Sequence, residues 1–397
     1  MPVCVRSPSP ASGPGGRLRS MSSTHFDVAV VGLGAMGSAT LRQLAKRKVR
    51  CVGIDQYDPP HTLGSTHGRS RIIREAYYEH PLYVPFIQRA YELWDELEKD
   101  SKRTLFARTG GIMCGPEDGV LFQGALASAR THGLRHEVLS ARDVRHRFPA
   151  YAPNDDHVAL YEPRAGVLKP EAVVEANLNQ AVFAGAKMLT NTVMHGWSAR
   201  SAGIEVRTSS GAVQCETLIL AMGPWLPAMI ADLGLPLVVE RQLSHWFQPL
   251  VDDARFSPEK CPIGLFEDDA GHLFATFPDM GDGVKCGAHH DGAYVTPDTV
   301  NRVVGLVEQD EARKQLRSVM PGAAGKHRES RVCLYTDTPD AHFILDRHPG
   351  DARVLLASPC SGHGFKFSSA VGEVMADLAT GRTPAIDISP FAVSRFV

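Results

Sequence analysis

The sequence lacks the signals that would send it to a membrane, a nucleic acid or a disulfide framework. No apolar run is long enough to span a bilayer. There is no basic block and the formal net charge is -2, so neither nucleic acid nor an anionic lipid surface is an expected partner. The eight cysteines are scattered without a CxxC pair; in a chain of 397 residues this fits a reducing, cytoplasmic setting better than disulfides. No metal-ligand spacing and no nucleophile triad is evident. Residues 1–24 contain no acidic residue, and with Arg6, Arg17 and Arg19 among Ser, Pro and Gly they have the composition of a transit peptide. Pro8, Pro10, Pro14 and the Gly13-Gly15-Gly16 cluster would break an amphipathic helix there, and there is no apolar segment for secretion. They read as a disordered extension ahead of an alternative start at Met21. The C-terminal Arg395-Phe396-Val397 is not a peroxisomal address.

What is present is a hydrophobic content of 43%, enough for a large core and about two domains. The most informative stretch begins at His25. An apolar run from Phe26 to Val31 enters Gly32-Leu33-Gly34-Ala35-Met36-Gly37, a helix-like segment follows, and Cys51-Val52-Gly53-Ile54-Asp55 closes the unit. In a strand, turn, helix, strand arrangement Gly32 permits the tight turn, Gly34 lets a pyrophosphate approach the backbone, and Gly37 packs helix on strand. The unpaired N–H groups of the helix start then face the phosphates. Asp55 falls where a carboxylate accepts hydrogen bonds from an adenosine ribose.

Beyond Asp55, a Pro-, Gly- and His-rich stretch runs into Arg69-Ser70-Arg71-Ile72-Ile73-Arg74. The isoleucines imply that these arginines are partly buried, and buried guanidinium groups need anionic or polar partners. Residues 81–99 carry apolar side chains at helical spacing; Ser140 caps a short helix through Phe148; Pro170 starts another that continues to about Gly185. Short β runs over 187–189, 193–197, 203–207 and 217–222 are expected to extend the first sheet. From Val238 to Ala288 the runs are β-like and separated by Pro, Gly and Asp turns, which predicts an antiparallel second domain. Alternation there puts Lys285, Gly287 and His289 on one face of a strand; a solvated face and a functional face are equally compatible with the pattern. Thr296-Pro297 and Asp310-Glu311 mark expected helix starts. Cys333 and Tyr335 share a face of a further strand, and Cys333 by itself reads as a buried small hydrophobe. In Ser361-Gly362-His363-Gly364-Phe365-Lys366-Phe367-Ser368-Ser369, Gly362 and Gly364 permit close approach of a flat ring, and Ser368 or Ser369 is a ready N-cap for the helix that follows.

Together GLGAMG, GSTHGRSRIIREAY, GVKCGAH, CLYTDTPDAHFILDRHP and SGHGFKFSSAVGE, in this order, resemble the monomeric sarcosine oxidase and N-methyl-amino-acid oxidase family over nearly the whole span from His25 to Phe396. The resemblance implies an α/β plus α+β fold: a glutathione-reductase-like FAD-binding domain (residues 25–80, 150–225 and 325–397) and a mainly antiparallel-sheet substrate domain (81–149 and 226–324). It implies FAD bound by Gly32, Gly34, Gly37, Asp55, Gly362 and Gly364 and joined covalently to Cys333 through a thioether, which replaces the bland reading of that residue. Arg71 then lies against the flavin, Arg74 and Lys366 hold the substrate carboxylate, Lys285 activates O2, and His289 and Tyr335 are pocket residues. The expected activity is oxidation of a secondary amino acid by O2 to an imine and H2O2, in a monomer whose partners are a small amino-acid substrate and O2. Three departures stand out: Phe274-Ala275 where sarcosine oxidases carry tyrosines, Arg69 at a usually polar or acidic position, and Pro359-Cys360 before the SGHGFK motif. The first implies a different or roomier side-chain pocket. The rival readings are an FAD dehydrogenase that passes electrons to a quinone or carrier, which would have no use for Lys285, and a non-catalytic flavoprotein.

Overall fold

The computed structural model describes residues 25–251 and 253–396; the expected extension over residues 1–24 lies outside the described residues. Two eight-stranded sheets and a small three-stranded one carry the fold. In the first sheet the order is Met194–Arg200, Gly203–Thr208, Gly211–Leu220, His25–Val31, Cys51–Ile54 and Lys187–Leu189. The strand Asp351–Ser358 joins Gly211–Leu220 in parallel and pairs on its other side with Ile344–His348. The later β runs therefore do return to the first sheet. Val28 and Val30 pack on the helical side with Leu41 and Leu44, whereas Ala29 and Val31 pack on the opposite side with Val52, Ile54, Leu218 and Leu220. Burial on both faces explains why these strands read as continuous apolar runs.

The parallel register pairs Val31 with both Ile54 and Leu220, so Gly32, Asp55 and Ala221 emerge together at the carboxyl edge of the sheet. That edge is where open α/β sheets bind ligands. The helix Ala35–Lys46 leaves from Gly32-Leu33-Gly34 and lies between the helices Pro170–Phe183 and Ser368–Ala379. A Cβ on Gly372 would meet Ala39 Cβ at 2.8 Å, so this glycine lets the two helices come into backbone contact.

The second sheet runs His327–Asp337, Val238–Phe247, Val284–His289, Leu273–Phe277, Ile263–Glu267, Gly111–Gly115, Val158–Glu162 and Glu137–Ser140. Every pairing is antiparallel except Ile263–Glu267 with Gly111–Gly115. The strand Arg71–Ile73 pairs with Gly166–Leu168 in the small sheet and leads the arginine run between the two large ones. The helix Tyr83–Ser101 buries the predicted stripe of Tyr83, Phe86, Ile87, Ala90, Leu93, Trp94 and Leu97. Trp94 Nε1 donates to Lys366 O at 2.9 Å, tying this helix to the HGFK turn.

Three local expectations differ from the structure. No helix starts at Thr296-Pro297: residues 297–299 make a single turn, with Thr299 N–H donating to Thr296 O at 3.3 Å, and Arg241 takes the carbonyl oxygens of Asn301 (2.8 Å) and Val303 (3.0 Å) that a continuing helix would use. The helix there is Leu306–Val319, so Asp310-Glu311 lies inside it; its start is fixed by Glu308, whose carboxylate accepts the Gly305 N–H at 2.7 Å. Neither Ser368 nor Ser369 caps the helix Ser368–Ala379, which continues directly from the 3₁₀ turn Phe365–Phe367. Ser369 Oγ instead donates to Ala90 O at 3.0 Å and joins two helices. By contrast, Ser140 caps the helix Ala141–Arg147 in a reciprocal box with Asp143, as its position predicts.

Candidate functional site

The glycine turn behaves as its spacing predicts. Gly32 has φ +88°, and a Cβ there would lie 2.4 Å from Ala221 O; a Cβ on Gly37 would lie 1.7 Å from Gly32 O. Gly34 is different, since a Cβ there would meet only Thr66, with Oγ1 at 3.3 Å, so the second glycine opens onto free space. Asp55 Oδ2 accepts the Leu33 N–H at 2.7 Å and Oδ1 accepts the Tyr57 N–H at 2.9 Å. The carboxylate thus fixes the turn while its remaining lone pairs face the cavity that Gly32, Gly34 and Asp55 line.

The same cavity is lined by Arg71, Arg74, Lys285, His289, Cys333, Tyr335, Gly362, Gly364 and Lys366. Of the expected cofactor and substrate residues, Gly37 alone does not line it; it works behind the turn, between helix and strand. The two late glycines also leave no room for a side chain of their own. A Cβ on Gly364 would lie 1.5 Å from Pro359 O, and one on Gly362 would lie 2.5 Å from His289 Cε1 and 2.7 Å from Tyr335 Cε2. They make room for the protein's own backbone and rings.

The loop 64–70 supplies carbonyl oxygens rather than regular structure. Lys285 Nζ, almost fully buried, donates to Gly68 O and Ser70 O, each at 2.9 Å. Arg71 donates to Ser70 O and Ser65 O, each at 2.9 Å, and approaches Cys333 Sγ at 3.3 Å. The loop itself is pinned from across the chain by Glu171, which accepts the N–H groups of Gly68 (2.8 Å) and Arg69 (3.1 Å). Such charge-assisted bonds contribute about 1.5–3 kcal/mol each where solvent is excluded, and less at this partly exposed carboxylate. Burial, reinforced by Arg71, lowers the Lys285 ammonium well below the ordinary lysine range. Lys285 is therefore no solvated residue; it is buried on the cavity wall. Arg69 points elsewhere, donating to Asp282 at 2.7 Å and pairing with Glu329, so its departure from relatives does not reach the cavity.

Arg74 and Lys366 form a second cationic pair. Arg74 Nη2 holds both oxygens of Glu79 (2.9 and 2.7 Å), Nη1 donates to Ala76 O (2.9 Å), and the buried Nε has no partner. Its guanidinium lies over the rings of Tyr77 and Tyr78 at 4.4 and 4.7 Å. Burial raises the Glu79 carboxyl, but Arg74, His363 and Lys366 outweigh it and hold the group at about 2. Sequence reading missed Glu79; a carboxylate five residues after a buried arginine was the available signal. Lys366 Nζ donates to His363 O at 2.7 Å, and burial followed by repulsion from Arg74 pushes its ammonium down to about 7. His289 is held neutral by burial and by the neighbouring His290, and its Nδ1 is 3.2 Å from Tyr335 Oη.

The cavity suits FAD on chemical grounds. One end has an open glycine turn, a helix start and a ribose-competent carboxylate. The hydroxyls of Ser65 and Ser358 line it, buried and without a partner, as groups awaiting a polar ligand would be. No helix among the described residues is long and apolar enough to cross a membrane.

Residues 27–378 match the family described as DAO, FAD dependent oxidoreductase. The chain is 39% identical over 376 residues to a monomeric sarcosine oxidase of Streptomyces avermitilis, covering 94% of this chain and 97% of that protein. It is 33% identical over 374 residues to an N-methyl-L-tryptophan oxidase of Yersinia pestis, covering 94% and 99%. Among solved structures, the fold is shared with NikD, described as an unusual amino acid oxidase, at a TM-score of 0.81 and 24% identity over 93% of this chain and 97% of that one. The chain belongs to the DAO family of FAD-dependent oxidoreductases, among its sarcosine-oxidase-like amine oxidases.

Proposed function

We propose that the protein oxidises secondary amino acids, N-methylated or cyclic, with O2 as acceptor. The observation that carries this reading is the placement of two pairs of basic side chains, Arg74 with Lys366 and Arg71 with Lys285, on the cavity that also holds the glycine turn and a neutral imidazole. Bound FAD supplies the hydride acceptor and the route to O2. Gly32, Gly34 and Asp55 would hold its dinucleotide, Gly362 and Gly364 would shape its far end, and Cys333 would be the attachment point, steadied by Arg71 at 3.3 Å. The first sheet and its helices would form the flavin-binding domain, and the antiparallel sheet the substrate domain.

The residues of this chain then act as follows. Lys366 and the free Nε of Arg74 receive the substrate carboxylate through charge-assisted bonds, in competition with Glu79 for the guanidinium. This anchor orients the reacting C–H bond, and most of the rate gain expected of the protein comes from such positioning. His289, neutral and bonded through Nδ1 to Tyr335, has too low a proton affinity to serve as the base and is suited instead to orient by hydrogen bonding the substrate amine, which reacts as the free base. Lys285 presents a buried donor able to stabilise negative charge developing on oxygen. On the side-chain side, Leu265, Ala275 and Phe277 line the cavity, while Phe274 packs into the core behind the strand. Small Ala275 on that wall supports a preference for substrates bulkier than sarcosine. The seven described cysteines are free thiols, which supports a reducing, cytoplasmic setting, and the name of the Streptomyces relative supports a monomer.

Anaerobic mixing of the holoenzyme with a panel of N-methyl and cyclic amino acids tests the function. Flavin absorbance is expected to bleach with this class, fastest with members larger than sarcosine, and to recover with peroxide on admission of air. Bleaching without recovery would favour a dehydrogenase, and no bleaching would remove the amine-oxidase reading. The Cys333→Ser variant should release its flavin when denatured in acid, whereas the parent keeps it; retention by the variant would refute attachment at this thiol. The Lys366 ammonium binds the carboxylate only when protonated, and it loses that proton above about 7. Inhibition by propionate should accordingly be independent of pH below that value and weaken about tenfold per pH unit above it. In Lys366→Met the inhibition should be weak and flat, and an unchanged profile would place the carboxylate elsewhere.

A further inference from the structure

Behind the wall formed by His289 and Tyr335 lies a second cavity, lined by Glu240, His290, Gly292, Asp337, Thr338 and Ser361 among others. One ligand atom from each of Glu240, His290 and Asp337 lies within 4.8 Å of the others. Asp337 is 8% exposed, its carboxylate oxygens accept from no N–H or O–H donor, and burial with the facing Glu240 carboxylate pushes its carboxyl up to about 8. A buried carboxylate left in that state lacks a positive or donating ligand. Glu240 is oriented for the same purpose. Its Oε1 accepts from Gln242 Nε2 and from the Gly292 N–H, each at 2.6 Å, while Oε2 faces His290 Nδ1 at 3.2 Å. That separation matches the spacing of about 3.0–3.5 Å between neighbouring donors on a small divalent cation.

The backbone around the cluster is committed to this arrangement. His290 has φ +56°, which turns its ring toward Glu240. A Cβ on Gly292 would lie 1.8 Å from Arg241 O, so the strap 290–292 lies flat on the strand that carries Glu240.

We propose that Glu240, His290 and Asp337 form a binding site for one divalent first-row transition cation, Mn2+ or Zn2+, completed by water. One imidazole and two carboxylates suit these ions, and the bonds to Gln242 and Gly292 are the outer contacts that hold such a ligand in place. Each ligand is next to, or two residues from, a residue of the main cavity: His289, Gln242 and Tyr335. The His290 ring packs 4.3 Å from that of His289 and 5.4 Å from that of Tyr335. The cation is a clamp behind the substrate wall, and its three ligands are positioning residues.

Titration of chelator-treated holoenzyme with MnCl2, with free Mn2+ read by electron paramagnetic resonance, tests the site without relying on turnover. One Mn2+ per chain should bind, Zn2+ should displace it, and Asp337→Asn and His290→Gln should each weaken binding by at least about tenfold while retaining flavin absorbance. Should Asp337→Asn fail to fold, the partly exposed His290→Gln carries the comparison alone. Absence of stoichiometric binding by the parent, or unchanged binding in His290→Gln, would overturn the proposal, and the two carboxyls would then share a proton in place of a cation.

Discussion

The placement of Lys285 and Arg71 on carbonyl oxygens of one irregular loop is the constraint on which the site depends. A buried ammonium and a half-buried guanidinium need acceptors, and a loop with unpaired carbonyls can supply them where a helix or strand cannot. Ser65, Gly68 and Ser70 provide those oxygens, and Glu171 holds the loop in the shape that presents them. The cost of burying the charge is offset by these bonds, and the lowered proton affinity of Lys285 is what remains of it. Cys333 Sγ, the Arg71 guanidinium and Lys285 Nζ are thereby fixed on one cavity wall by one device joining the two large sheets.

The second cationic pair follows a different logic. Arg74 keeps its charge by holding Glu79, while Lys366, with a carbonyl as its nearest acceptor, gives up much of its own. On the proposed reading, a carboxylate entering the site would restore the lysine's charge and compete for the arginine, so that binding would select an amino acid over a simple amine.

Much of this was legible in the sequence because it is written in short-range spacing. The glycine turn, Asp55, the RIIR run and the lysine in the HGFK turn each sit within one local unit, and the half-buried Ile72 and buried Ile73 accompany a half-buried Arg71 and a buried Arg74, whereas the Arg69 side chain stays partly exposed. What escaped was pairing over distance and competition for backbone groups. Glu171 meets Gly68 from 103 residues away, and Glu240 meets His290 from 50. The missing helix at Thr296 was lost to a distant arginine that claimed its carbonyls. Nor could the sequence show what a side chain at Gly362 or Gly364 would strike, which depends on the packed rings of His289 and Tyr335 and the crossing of Pro359.

The most direct measurement on the account is stopped-flow comparison of the two half-reactions in Lys285→Met. The account predicts reoxidation by O2 slowed about a hundredfold or more, with anaerobic reduction by substrate nearly unchanged, because the ammonium acts on charge that develops on oxygen and not on the carboxylate. Equal losses in both half-reactions, or a reoxidation rate like the parent's, would contradict it.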